Sequence, residues 1–149
     1  MTYRTALVGL ASLALTAISS AAAAANPAVT LDSAAFVERV TPTAGRMLEP
    51  ASELSRGDRV VYVVRWYKLG GDGGFVVTNP LPRSVYYQGS ANGDEEVSID
   101  GGRSWGKLGA MHAGDRIATP EDVTHVRWRV DPRAASRGQG RIAYSAIVR

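Results

Sequence analysis

The run Arg59-Val-Val-Tyr-Val-Val-Arg-Trp66 constrains this chain most. Successive side chains of a strand point to opposite faces. Val60, Tyr62, Val64 and Trp66 therefore share one face, and Arg59, Val61, Val63 and Arg65 share the other. β-Branched and aromatic residues suit a pleated, half-buried surface, so the first set reads as the buried face of a sheet. Two later runs repeat the alternation. In His125-Val-Arg-Trp-Arg-Val130, the inward set is Val126, Trp128 and Val130, with His125, Arg127 and Arg129 outward. In Arg141 to Arg149, the inward set is Ile142, Tyr144, Ala146 and Val148. The three runs are expected to share one core.

Between these runs the chain is punctuated by turn residues. Val29 to Leu31 and Phe36 to Val40 read as an edge strand or a pair of short strands, with Phe36 and Val40 inward. Arg46 to Glu49 is a short extended piece closed by Pro50, and Gly57-Asp58 is the turn into the central strand. Lys68-Leu-Gly-Gly-Asp-Gly-Gly74 is too rich in glycine for a helix or strand interior. It lacks the Lys-Ser/Thr pair and following helix of a phosphate-cradling loop, and reads as a connection between strands. Phe75 to Asn79 is a strand stopped by Pro80 and Pro82. Arg83 to Gln88 is another, with Val85 and Tyr87 on one face. Glu95 to Ile99 and Trp105 to Leu108 flank Asp100-Gly-Gly-Arg-Ser104 as a hairpin. Gly114-Asp115 is a second turn. Thr119 caps a helical turn that begins with Pro120. Asp131 to Gly140 reads as a loop.

The count is about seven to nine short strands, with no helix beyond a turn or two after residue 25. An all-β fold follows: an immunoglobulin-like antiparallel β-sandwich with Trp66, Trp128, Tyr62 and Tyr144 as its heavy core residues. The alternative is an eight-stranded barrel, which would enclose a ligand cavity.

The start of the chain has an address. Met1 to Arg4 is a short basic region, Thr5 to Ile18 is apolar, and Ser19 to Ala25 is small throughout. Ala22-Ala-Ala24 or Ala23-Ala-Ala25 satisfies the small-x-small cleavage rule, so residues 1–25 read as a signal peptide cleaved at or near Asn26. The competing reading is a buried N-terminal helix, since alanine favours helix. Residues 26–149 then form one domain. They hold no second apolar run of membrane length and no cysteine to carry a lipid. An exported product, periplasmic or extracellular, is expected.

The chain has 149 residues, no Cys and 2 His, so stability must come from packing and little is available for a transition-metal site. Its 17 basic and 14 acidic residues give a net charge of +3, and the arginines are scattered along the strands. That argues against a nucleic-acid or anionic-membrane partner.

Two resemblances attach to particular residues. Arg56-Gly-Asp-Arg-Val-Val-Tyr-Val-Val, Val77-Thr-Asn-Pro-Leu-Pro82, Val126-Arg-Trp-Arg-Val and Gly140-Arg-Ile-Ala-Tyr fall in an order that resembles the conserved-repeat domain of unknown function, number eleven, of bacterial surface proteins. The likeness spans Leu48 to Arg149. It implies an immunoglobulin-like sandwich in envelope or secreted proteins, often in tandem, and brings no catalytic residues. This chain is expected to depart from that pattern in being a single copy with no anchor. Separately, Ser98-Ile-Asp-Gly-Gly-Arg-Ser-Trp105 is similar to the Asp-box hairpin, Ser-x-Asp-x-Gly-x-Thr/Ser-Trp, of propeller blades in sialidases and other secreted proteins. Propellers repeat that motif, and this chain is too short for one. Here it reads as a stabilised turn.

No catalytic, cofactor-binding or metal-ligating residue is assigned. Asp94, Glu95, Glu96 and Asp100 could offer oxygens to calcium, but they lack the spacing of a dedicated loop and read as a solvated acidic turn. None of them has the apolar surroundings that a glycosidase acid requires. Ser90 lacks a nucleophile elbow and a base. His125 reads as a surface residue. Arg65, Arg127 and Arg129 could form a basic stripe for an acidic partner or glycan if their strands are neighbours. The function expected is that of a non-catalytic exported module contacting an envelope or extracellular protein or glycan. The alternatives are a glycan- or calcium-binding module and a small secreted hydrolase.

Overall fold

The computed structural model describes residues 28–149. The expected signal peptide at residues 1–25, and the competing N-terminal helix, lie outside the described residues. Ten strands follow: β1 (Val29–Thr41), β2 (Gly45–Pro50), β3 (Arg59–Lys68), β4 (Phe75–Pro80), β5 (Val85–Ser90), β6 (Glu96–Ser98), β7 (His112–Ala113), β8 (Arg116–Ile117), β9 (His125–Val130) and β10 (Gln139–Val148). One sheet has the order β2-β1-β3-β10-β5, a second has the order β4-β9-β6, and β7-β8 is a separate hairpin. Every pairing is antiparallel.

The protein is an all-β sandwich, immunoglobulin-like in having two antiparallel sheets over one interior. Its strand order is its own. The last two strands, β9 and β10, lie in different sheets, whereas the last two strands of an immunoglobulin constant domain are neighbours. Among the described residues no ladder joins the two sheets, which sets the barrel aside. No described helix is long and apolar enough to cross a membrane.

All three alternating runs supply the interior with the faces expected of them. Val60, Val126 and Ala146 are fully buried, and Val64, Trp66, Trp128 and Tyr144 nearly so. The interior divides into two clusters. Val64 and Trp66 of β3 meet Val77 of β4 and Val130 of β9. Tyr144 and Ala146 of β10, with Val85 and Tyr87 of β5, meet Val97 of β6 and Val126 and Trp128 of β9. Ile142 packs against both clusters. Tyr62 is half-buried and stacks on Tyr144 with ring centroids 5.0 Å apart. The polar tip of Tyr144 accepts a hydrogen bond from the Asn79 amide, and burial pushes its phenol up to about 12.

Three local expectations are corrected. The segment from Val29 is one long inner strand, paired with β2 on one side and β3 on the other. Ala35 pairs with Tyr62 and Val37 with Val60, so the odd-numbered residues of β1 share the inward face of β3, although Leu31 and Ser33 at its start stay exposed. Val37 is buried, Phe36 lies on the outer face and Val40 is 72% exposed. The stretch carries apolar residues at both parities, and only pairing with β3 chooses between them. Next, the second arm of the Asp100 hairpin shrinks to a single bridge between Val97 and Gly106, followed by a 3₁₀ turn at Leu108–Ala110. Finally, the 131–140 loop contains one helical turn, α1 (Pro132–Ala135). The Asp131 carboxylate caps it by accepting from the Ala134 N–H at 2.7 Å.

Candidate binding face around Gln139 to Arg141

The acids singled out in the sequence do not converge. Among the described residues no three His, Cys, Asp or Glu side chains group as metal ligands do. Glu95 accepts from the hydroxyls of Tyr87 and Ser90. Burial works to raise its carboxyl, but those two hydrogen bonds outweigh it, and the group is held below its ordinary value. Such a carboxylate is a weak base for Ser90. The pair instead ties down the 90–95 loop, helped by Lys107 Nζ donating to the carbonyls of Gly93 and Glu95.

Ser98 to Trp105 closes as a dense hydrogen-bonded turn. Asp100 Oδ1 accepts from the backbone N–H of Arg103 at 3.0 Å and of Ser104 at 2.9 Å. Asp100 Oδ2 accepts from Ser104 Oγ at 2.6 Å. Ser98, fully buried, donates to Asp100 Oδ1 and accepts from the Gly102 N–H, both at 2.8 Å. The Trp105 indole donates to the Gly102 carbonyl at 3.0 Å, which folds the ring back under the turn. The Ser104 hydroxyl and N–H, with Ser98, hold the Asp100 carboxyl far below the usual carboxylate range. A carboxyl depressed in the folded state contributes stability above its unfolded pKa, and loses it as the pH falls toward the depressed value. Ser98→Ala should therefore act twice. It leaves the Gly102 N–H without an acceptor, at a cost of about 1–3 kcal/mol. It also removes one support of the ionised Asp100, so acid unfolding should begin at higher pH. Urea melts read the first effect, and an acid titration followed by tryptophan fluorescence reads the second.

The arginine stripe is redrawn. Arg65 lies in the five-stranded sheet, whereas Arg127 and Arg129 lie in the other. Glu96 accepts from Arg127 Nε at 2.8 Å and from Arg129 Nε at 3.3 Å. The Arg127 guanidinium lies 4.4 Å from the centroid of the Trp105 ring, a cation–π contact that fastens the hairpin to β9. His125 sits beside it, edge-on to Trp105 at 6.4 Å, with Nδ1 3.1 Å from Thr124 Oγ1.

The cross-strand neighbour of Arg65 is instead Arg141 of β10. Tyr67 stands opposite Gln139 in the next outward pair of the same ladder. These four side chains and Gly140 line a shallow cavity of about 410 Å³ on the outer face of the sheet. A second cavity of about 390 Å³ opens on the other side of the same strand, where Gln139 to Ala143 face Trp66, Trp128, Arg129 and Arg137. It exists because the β5 ladder reaches only Tyr144, leaving the first half of β10 without a neighbour on that edge. Among the described residues Arg65, Arg137 and Arg141 make no ion pair. Sequence reasoning missed Arg141 and Arg137. Nothing in the order of residues tells which strands adjoin, and only the β3–β10 register sets Arg141 against Arg65.

No family model, curated protein or solved structure matches this chain.

Proposed function

We propose that this protein is an exported, non-catalytic module of the bacterial envelope or extracellular space, acting by surface contact with another component. One contrast carries the reading. Glu95, Glu96 and Asp100, three of the four acids that could have served chemistry or calcium, are engaged in hydrogen bonds that hold loops, and the fourth, Asp94, stands apart from them at the rim of a hollow. Around the open half of β10, by contrast, Arg65, Arg137 and Arg141 line the two hollows and make no ion pair among the described residues. The two-sheet sandwich agrees with what the resemblance to the bacterial surface repeat implies, and the leader-like residues 1–25 supply the route out of the cell.

Fractionation of the producing cells, with intact-mass measurement, tests this. The expected product lies outside the cytoplasm and begins at or next to Asn26. Full-length chain retained in the cytoplasm would overturn the reading.

A further inference from the structure

Resting on that reading, we propose that the two hollows flanking Gln139 to Arg141 form one site for an acidic polysaccharide, a chain of sugars with spaced carboxylate groups. Arg65 and Arg141 stand directly opposite in an antiparallel ladder, which puts their Cα atoms about 5 Å apart. Like charges so placed repel. Asp32, the neighbour of Arg65 on β1, makes no ion pair with it, and Arg137 adds a third unpaired cation beyond the strand. An anionic ligand would relieve this repulsion, and a guanidinium receives a carboxylate through paired N–H donors.

The groups between the charges suit sugars. Tyr67 is 38% exposed and offers a ring face to the apolar side of a pyranose. Gln139 and Asn92 can exchange hydrogen bonds with hydroxyls. Trp66 and Trp128 both line the second hollow, and neither indole N–H has a protein acceptor or is sealed from solvent. The bare edge of β10 adds backbone donors and acceptors. Asp94 and Asp131 also line this hollow. They disfavour an unbroken polyanion such as nucleic acid, and favour a chain with neutral hydroxyl-bearing stretches between its charges.

The test is titration calorimetry of the purified protein against a hyaluronan oligosaccharide, in which carboxylate-bearing and neutral sugars alternate, a neutral dextran oligomer, single-stranded DNA and phosphatidylglycerol vesicles. Binding is expected for the hyaluronan oligosaccharide alone, weakening as salt rises. Arg65→Ala with Arg141→Ala should weaken it at least about tenfold. Arg83→Ala, an exposed arginine away from both hollows, should not change it. The double variant removes the Arg65–Arg141 repulsion together with the Asp32–Arg65 attraction, so it should melt within a few degrees of the parent, and that check separates lost binding from lost folding. Equal binding to dextran, DNA or vesicles, unchanged affinity in the double variant, or no binding to any probe would each overturn the proposal. A protein that is exported yet binds none of them overturns this inference alone, whereas cytoplasmic retention overturns the broader reading whatever the calorimeter shows.

Discussion

Alanine at position 128 is expected to cost about 4 kcal/mol, a large share of the stability of a domain this size. Trp128 is 4% exposed and lies in the cluster where β5, β6, β9 and β10 meet. Its ring leans on Tyr144 with centroids 5.3 Å apart. Removing the indole opens a void that Val97, Val126 and Ala146 are too short to fill, so the lost transfer free energy and the cavity term add. The melting temperature should fall by about 15 °C. Trp128→Phe, which keeps a ring against Tyr144, should lose less than half as much. Scanning calorimetry on the parent and both variants checks this, and an alanine variant melting within a few degrees of the parent would contradict the two-sheet core.

Gly140→Ala is the second large effect, about 3 kcal/mol or more. A methyl group there normally helps a strand, by about 0.5–1 kcal/mol, because glycine loses the most freedom on folding. Here the sign reverses. A Cβ on Gly140 would stand 2.3 Å from Cζ2, 2.5 Å from Cε2 and 2.7 Å from Nε1 of Trp66. The two residues are partners in the β3–β10 ladder, and the indole lies across the bare glycine. Trp66 has little room to retreat, because it is 4% exposed and meets Phe75 edge-on at 5.1 Å. Overpacking of this kind forces side chains off their rotamers or bends the strand. A urea midpoint that drops with an unchanged slope is the expected signature. A variant as stable as the parent would show that the indole does not lie where the ladder puts it. Gly140 also lines both hollows of the candidate site, so packing and binding meet at one residue.

The local chemistry was legible wherever a side chain answers to its own neighbours. Asp131 capping α1 and Asp122 accepting from the Thr119 N–H at 2.8 Å are short-range bonds. The first lay within a stretch that reads as loop, because Asp-Pro opens helices and loops alike. The Asp100 turn, with both carboxylate oxygens engaged within four residues, follows from its motif alone. By contrast, a stripe of Arg65, Arg127 and Arg129 needed strands that turned out to lie in separate sheets. The burial of Val37 in place of Phe36 needed the β1–β3 register.

By itself the sequence determined the all-β class, the inward faces of β3, β9 and β10, and the turn at Asp100. Each depends on alternation or on bonds that reach only a few residues. The tertiary structure alone decided which strands adjoin, that Trp66 lies across Gly140, and that Arg65, Arg137 and Arg141 collect around one half-open strand. Those are long-range pairings, fixed when two sheets bury their apolar faces together, and alternation within a strand is blind to its neighbour.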